Sequence, residues 1–273
     1  MNRIDKTFAA LQSQGRTGLI PFVTAGDPDA QWMASIMRAL VDAGADLIEL
    51  GVPFSDPMAD GPVIQKSSER ALARGMNLHG VMEIVRDFRA TDSKTPIVLM
   101  GYLNPIEYFG WERFAAMASE AGVDGVLLVD CPPEEADAVR PILQQRQLAQ
   151  IFLASPTTTP ARLSKMAALA EGYVYYVSFA GITGADRLAL DDVHQKIAVA
   201  RQSIRTPLAI GFGIRTAEQA VALAADAEAV VIGSALVERL VLAQDSAAAC
   251  AAARQFLTPI RAALDAAAKA KAA

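Results

Sequence analysis

The sequence predicts a (β/α)8 barrel, with an extra helix at the N-terminus and additional helices, that occupies residues 1–273 as a single domain. Eight short apolar runs alternate with helical stretches along the chain, which is typical of parallel βαβ units. No linker or change in composition interrupts this alternation. Eight units in about 250 residues fit a closed barrel better than an open doubly wound sheet. No G-x-G-x-x-G motif follows a run, which lowers the dinucleotide-binding alternative.

The strand candidates are short runs of mostly apolar residues bounded by turn-forming residues. In chain order they are 19–24, 47–51, 96–100, 125–129, 149–153, 173–177, 207–210 and 229–232. Residues 101–105 are predicted to form the exit loop of the third strand. A long exit loop through Gly181 and Gly184 follows the sixth strand, and Gly211-Phe212-Gly213 follows the seventh.

Helices are predicted where apolar residues recur at helical spacing between these runs. The first, over 3–13, places Ile4, Phe8 and Leu11 on one face, and Asp27 or Asp29 can cap the second. The full set is 3–13, 30–43, 63–74, 78–90, 111–121, one ending near 146, one ending at 170, 191–202, 216–225, one opening at 233–234, and an alanine-rich C-terminal helix that Pro259 kinks or interrupts.

Composition excludes several classes of protein. The chain is 52% apolar and 20% charged, as expected for a globular protein with a large core. Its net charge of −5, without a basic cluster, argues against a nucleic-acid partner. No apolar stretch is long enough to span a membrane, and the N-terminus has no signal-peptide pattern, so we expect a cytoplasmic protein. Cys131 and Cys250 lack metal-ligand spacing, which predicts no metal site, while spacing alone leaves a disulfide open.

Glu49 is the strongest catalytic candidate, because it lies inside the apolar run 47–51. An ionised carboxylate in an apolar setting costs several kcal/mol unless it is paired, so packing alone rarely selects one. The alternative is an outward-facing Glu bound to a helix Lys or Arg. Strand alternation puts Leu47 and Glu49 on one face. The outer face of a barrel is covered by helices and is apolar, so we place Glu49 inside, facing the site.

The loop after this strand carries Asp56, Pro57 and Asp60. Asp60 is a candidate for the same pocket as Glu49, although a loop Asp beside Gly and Pro is most often a solvated turn residue. Tyr173 and Tyr175 share one face of the sixth strand. A strand tyrosine is more often core than catalytic, but a phenol at a barrel mouth can act as a hydrogen-bond partner.

Glycines at three late strand exits predict a phosphate site. They lie in 181–184, 211–213 and 233–234. Glycine lets backbone N–H groups approach an anion, and a helix that starts at Gly233 and Ser234 would direct its positive end to it. The loops after the last two strands are the recurrent phosphate site of such barrels. Each glycine pair alone is only a turn signal.

Several motifs closely resemble the tryptophan synthase alpha chain family over nearly the whole chain. They are PFVTAGDP at 21–28, ELGVPFSDPMADGPVIQ at 49–65, YVS at 176–178, GITG at 181–184, GFGI at 211–214 and GSA at 233–235. The resemblance implies a lyase of tryptophan biosynthesis. It would cleave indole-3-glycerol phosphate to indole and glyceraldehyde 3-phosphate by a retro-aldol step. It also implies a heterotetramer with a β subunit that holds pyridoxal phosphate and receives the indole, and no cofactor in this chain.

The resemblance also assigns residues. Glu49 would shuttle protons between the indole carbon and the adjacent hydroxyl, and ionised Asp60 would stabilise positive charge at the indole N–H. Tyr175 would be a site tyrosine, and Thr183 would lie in a closing loop near Asp60. The indole ring would be enclosed by Phe22, Met100, Tyr102 and Phe212. The phosphate would be bound by Gly184, Gly213, Gly233 and Ser234, and the residues facing the β subunit would be Asp56, Pro57 and Asn104. Some members of the family carry an arginine at the position of Phe179. We therefore expect closure of this loop over the substrate to depend more on Thr183 than on ion pairs.

Three alternatives remain open at this point. The first is a free-standing lyase that releases indole without a β partner. The second is a catalytically idle barrel that acts as a regulatory or structural subunit. The third is another phosphosugar barrel, such as an isomerase, which would share the late-exit phosphate site. An apolar surface patch at 53–58 and 102–105 would favour docking to a partner over the first alternative.

Overall fold

The computed structural model describes residues 2–177, 187–211 and 213–272. Within these ranges eight parallel strands form a closed barrel, in which each strand pairs with the next and β1 pairs with β8. This confirms the predicted (β/α)8 barrel. The strands are β1 (Gly18–Thr24), β2 (Ile48–Gly51), β3 (Ile97–Gly101), β4 (Gly125–Leu128), β5 (Ala149–Ala154), β6 (Val174–Val177), β7 (Leu208–Gly211) and β8 (Ala229–Ile232).

Helices connect the strands and cover the outside of the barrel. In the described ranges they are α1 (Arg3–Ser13), α2 (Met33–Asp42), α3 (Pro62–Ala73), α4 (Leu78–Arg89), α5 (Leu103–Phe109), α6 (Trp111–Ala121), α7 (Ala136–Gln145), α8 (Pro160–Leu169), α9 (Arg187–Ser203), α10 (Ala217–Leu223), α11 (Ser234–Leu240) and α12 (Ser246–Ala272). A short 3-10 turn, Ala30–Trp32, precedes α2, so the predicted helix 30–43 is divided. None of the described helices is long and apolar enough to cross a membrane.

Strand alternation divides the core into two parts, as the sequence predicts. Ile48 and Leu50 of β2 face outward and pack with the surrounding helices, while Leu47 packs inside the barrel. Tyr173 and Tyr175 likewise point inward, whereas Val174 and Tyr176 point outward. Helix α1 closes the N-terminal end of the barrel, because Ile4, Phe8 and Leu11 join the interior cluster. Side chains therefore fill this end and leave the opposite end for chemistry.

The structure contradicts one prediction about the helices and part of another. The predicted exit loop 101–105 is occupied from Leu103 onward by α5. Pro105 is compatible with this helix because it lies in the first turn, where backbone N–H groups have no intrahelical partner. Pro259 does not interrupt the C-terminal helix, since α12 runs through it. Burial of Leu257, Ile260 and Leu264 around it outweighs the cost of about 3 kcal/mol of one interior proline.

Candidate active site

Glu49 lies in the interior of the barrel and is fully buried. Its neighbours across the sheet are Phe22 of β1 and Val98 of β3. The phenol of Tyr173 donates a hydrogen bond of 2.6 Å to Glu49 Oε1, while Oε2 has no hydrogen-bond partner among the described residues. Burial raises the pKa of Glu49 to about 7, and the bond from Tyr173 opposes this shift. A carboxyl group of this kind can both donate and accept a proton near neutral pH.

Tyr173 contacts Glu49 from the end of the barrel interior that α1 closes. Its ring is fully buried and packs on Phe8 of α1, with 5.7 Å between the ring centroids. Burial and the neighbouring charge of Glu49 raise the pKa of Tyr173 well above its usual value, so the phenol stays protonated and acts as a donor. The sequence placed Tyr173 on the same strand face as Tyr175, and only Tyr175 was assigned a role. Its shared face with Tyr175 was the available signal.

Replacing Tyr173 by Phe is expected to raise the pKa of Glu49 further. The phenol stabilises the carboxylate, and a hydrogen bond to a charged group is worth about 1.5–3 kcal/mol, or roughly one to two pH units. Carbon-13 NMR titration of glutamate carboxyls would follow the shift. Tyr176→Phe, a buried tyrosine on the outer face, is the matched control. An unchanged titration of Glu49 in Tyr173→Phe would contradict the assigned hydrogen bond.

Asp60 lies in the loop between β2 and α3, and Tyr102 and Gln65 contact it. Tyr102 Oη donates to Asp60 Oδ2 at 3.1 Å, and Gln65 Nε2 donates to the Asp60 carbonyl at 2.8 Å. The Asp60 N–H donates to the Pro57 carbonyl at 3.0 Å. Partial burial raises the pKa of Asp60, and the bond from Tyr102 opposes this. The predicted ring-enclosing Tyr102 thus also orients the carboxylate.

Tyr175 lies near both acids. Burial is the main cause of its raised pKa, and the charges of Glu49 and Asp60 both add to it. Its phenol is therefore within electrostatic range of both carboxyl groups, which brings the predicted residues Glu49, Asp60 and Tyr175 to one region of the barrel. A methyl group at Gly211 would lie 2.1 Å from Tyr175 Oη, so this position needs glycine for the phenol to fit.

An apolar wall lies beside these polar groups. Phe22, Ile64 and Val237 form a buried cluster, and Met100 packs against both this cluster and the barrel interior. Phe22 and Met100 were predicted for this role. Ile64 and Val237 were not predicted for it, although each is an apolar residue near a helix start just after a site loop. A flat aromatic ring could rest on this wall.

The predicted phosphate residues that the structure describes lie at the mouth of the barrel. Gly213 has a φ of +84°, which favours glycine, and Gly233 is the N-cap of α11, which begins at Ser234. A methyl group at Gly233 would contact the Phe22 ring at 3.4 Å, so this turn lies beside the apolar wall. Thr183, Gly184 and Phe212, which were predicted for the site, lie outside the described residues, as does Phe179.

The predicted partner-facing residues lie on one side of this mouth. Asp56 is exposed, Pro57 is buried in the same loop, and Asn104 is exposed in the first turn of α5. Two large apolar side chains are exposed beside them, Met58 at 79% and Tyr108 at 94%. Elsewhere, Cys131 and Cys250 are free thiols, which resolves the disulfide left open by spacing.

Comparison with known proteins gives one consistent result. The family model described as tryptophan synthase alpha chain matches residues 8–266. The tryptophan synthase alpha chain of Xylella fastidiosa (strain 9a5c) is 56% identical over 97% of this chain and 99% of its own. That of Laribacter hongkongensis is 56% identical over 97% and 100%. The structure of tryptophan synthase subunit alpha from Legionella pneumophila superimposes with a TM-score of 0.91 at 44% identity, covering 97% and 99% of the two chains.

Proposed function

This chain belongs to the tryptophan synthase alpha chain family, and we propose that it cleaves indole-3-glycerol phosphate to indole and glyceraldehyde 3-phosphate with Glu49 and Asp60 as catalytic residues. One observation carries the assignment. Glu49 is a fully buried carboxyl group inside the barrel with a pKa of about 7, and one of its oxygens has no hydrogen-bond partner in the described part of the chain. Packing gives no reason to retain such a group, whereas proton transfer requires one.

In the proposed reaction Glu49 moves two protons. Its protonated form gives a proton to the indole carbon that carries the glycerol chain. Its carboxylate then takes the proton of the adjacent hydroxyl. That hydroxyl becomes the aldehyde of glyceraldehyde 3-phosphate as the C–C bond breaks, and the electron pair returns to the indole ring. No proton is gained or lost overall, so one carboxyl group suffices for both transfers.

Asp60 and the glycines would stabilise the transition-state charge and bind the phosphate. Protonation of the indole carbon leaves positive charge near the ring nitrogen, which an ionised Asp60 would stabilise through a hydrogen bond. Tyr102 fixes the orientation of this carboxylate. Tyr175 would contact the reacting region between the acids, and the wall of Phe22, Met100, Tyr102 and Phe212 would enclose the ring. We assign the phosphate to Gly184, Gly213, Gly233 and Ser234, with Thr183 in the loop that closes over it.

We also propose that the chain works in the cytoplasm in an α2β2 tetramer, whose β subunit holds pyridoxal phosphate and receives the indole. The exposed Met58 and Tyr108 support docking at the surface that includes Asp56, Pro57 and Asn104. Solvent-exposed large apolar residues on one face favour a partner. In Mycobacterium tuberculosis, a solved tryptophan synthase includes a chain that matches this one with a TM-score of 0.85 at 29% identity, covering 97% and 100% of the two chains.

The test is indole release from indole-3-glycerol phosphate by the purified chain, alone and with a β subunit. We expect slow release alone and a large increase with β. If the β subunit does not change the rate of indole release, the lyase reaction stands and the chain is a free-standing enzyme. No release under either condition would contradict the proposed reaction.

Replacing Tyr108 by Ser is expected to weaken the β complex. An exposed tyrosine that becomes buried at an interface often contributes more than 1.4 kcal/mol, so the β concentration that gives half-maximal activation should rise about tenfold or more. Each variant is compared with its own turnover without β. Leu242→Ser, which removes another exposed apolar side chain, is the matched control and should not move the midpoint. An unchanged midpoint in Tyr108→Ser would place the interface elsewhere.

A further inference from the structure

Helix α3 determines where the backbone of Asp60 lies. It begins at Pro62, two residues after Asp60. From within this helix, Gln65 Nε2 reaches back to the Asp60 carbonyl at 2.8 Å. A movement of α3 along or across the barrel mouth would therefore be transmitted to the Asp60 carboxylate. The same helix packs against β1 and against α11, the helix that begins at Ser234 of the phosphate site. Helix α3 therefore lies between the Asp60 loop and the helix of the phosphate site.

Apolar packing alone holds α3 weakly. Its buried residues are Ile64, Ser67, Ser68 and Ala71, of which only Ile64 is a large apolar side chain. Helix α4 has the same length and buries six large apolar residues. Since apolar burial contributes about 25 cal/mol per Å² of buried surface, α3 gains far less from it than α4 does. Other contacts must fix α3 at the mouth of the barrel.

Those contacts are polar, and they bind α3 to the exit of β1. Arg70 donates through Nε to Asp27 Oδ1 at 2.8 Å and through Nη2 to Oδ2 at 2.7 Å. The Asp27 side chain is 1% exposed, and Arg74 lies 3.5 Å from the same carboxylate. One turn earlier, Ser67 Oγ lies 2.6 Å from Thr24 Oγ1. A planar guanidinium that binds both oxygens of a carboxylate fixes orientation as well as distance.

We propose that Arg70, through its paired hydrogen bonds to Asp27, is a positioning residue that sets the Asp60 carboxylate at its distance from the phosphate glycines. Arg70 does not touch the substrate. It fixes α3, which fixes Asp60 through Gln65, while the phosphate is bound separately at the start of α11. The proposal rests on the proposed function, because it assigns a role toward the transition-state charge that Asp60 is expected to stabilise.

Arg70→Lys keeps the charge and loses the paired geometry. We expect kcat for indole-3-glycerol phosphate cleavage to fall about tenfold, since small misplacements of a reacting group cost one to two orders of magnitude. KM and the affinity for glycerol 3-phosphate should change by less than about twofold, because the phosphate contacts are not made by α3. Gln65→Met removes the link to Asp60 without touching the ion pair, and it should lower kcat with the same pattern.

Arg89→Lys is the matched control. Arg89 donates to Asp124 Oδ2 at 2.9 Å and to three backbone carbonyls at the opposite end of the barrel. The Arg89→Lys substitution should destabilise the fold as much as Arg70→Lys does, and it should leave kcat unchanged. Equal losses of kcat in both Lys variants, or full kcat in both Arg70→Lys and Gln65→Met, would overturn the positioning role. Absence of cleavage by the unmodified chain would instead overturn the proposed function, so the two failures are distinguishable.

Discussion

Replacing Glu49 by Gln is expected to lower kcat for indole-3-glycerol phosphate cleavage by about 10³- to 10⁴-fold, the upper part of the range for general acid–base catalysis. Glutamine has nearly the same size and can still accept the hydrogen bond from Tyr173. It cannot donate and then take back a proton. A single group is proposed to serve both transfers, and so its loss affects protonation of the ring carbon and deprotonation of the hydroxyl together. Rapid-quench or steady-state indole assays would measure the loss.

The fold should survive this substitution. The folded-state pKa of Glu49 is raised from 4.5 to about 7, so its contribution to stability is fully present below pH 4.5 and is lost as the pH rises through 7. Above pH 7 the buried carboxylate costs up to about 3 kcal/mol. The Gln variant does not ionise, and we expect its free energy of unfolding at pH 8 to equal or exceed that of the unmodified chain. Urea unfolding at pH 5 and pH 8 would test this.

A control and a pH profile complete the experiment. Glu83→Gln, an exposed residue of α4, should change neither kcat nor stability. The unmodified chain should lose activity as the pH rises above about 7, because the protonated form of Glu49 starts the reaction. Substantial turnover by Glu49→Gln with this pH dependence intact would assign the proton shuttle to another group.

Local pattern was sufficient to predict much of the fold and the main acid. Strands such as 229–232 are short apolar runs between turn residues, and the structure reproduces this one without change. Glu49 was identifiable because a carboxylate in an apolar run is unfavourable in a core. Helix α5 was missed because Asn104 and Pro105 are turn formers. Their effect is reversed at a helix start, where proline is tolerated.

Contacts across the barrel could not be predicted from pattern. Tyr173 and Glu49 are 124 residues apart, and their hydrogen bond forms only because the barrel closes with β6 and β2 facing each other. Asp27 and Arg70 are 43 residues apart, and the sequence indicated only a possible helix-capping role for Asp27 and no role for Arg70. Spacing identifies which face a side chain takes, while its partner depends on how the strands are arranged.

Asp60→Asn is expected to lower kcat by about 10²- to 10³-fold, the cost typical of removing one preorganised electrostatic contact to a transition state. Asparagine can occupy the same space and can accept a hydrogen bond through its carbonyl from the indole N–H or from Tyr102. It carries no negative charge, so the positive charge that develops on the protonated ring loses its stabilisation. The effect should fall on kcat more than on KM, because the substrate ring is neutral when it binds.

The pH profile distinguishes this charge from simple hydrogen bonding. Burial raises the pKa of Asp60, so the unmodified chain should lose activity on the acidic side as this group becomes protonated. That acidic limb should be absent in Asp60→Asn, whereas Asp137→Asn, an exposed residue of α7, should retain it together with full kcat. A rise in KM at unchanged kcat would mean that Asp60 only binds the substrate. Because Glu49 must be protonated and Asp60 ionised at the same pH, the order of these two pKa values sets the pH range in which cleavage proceeds.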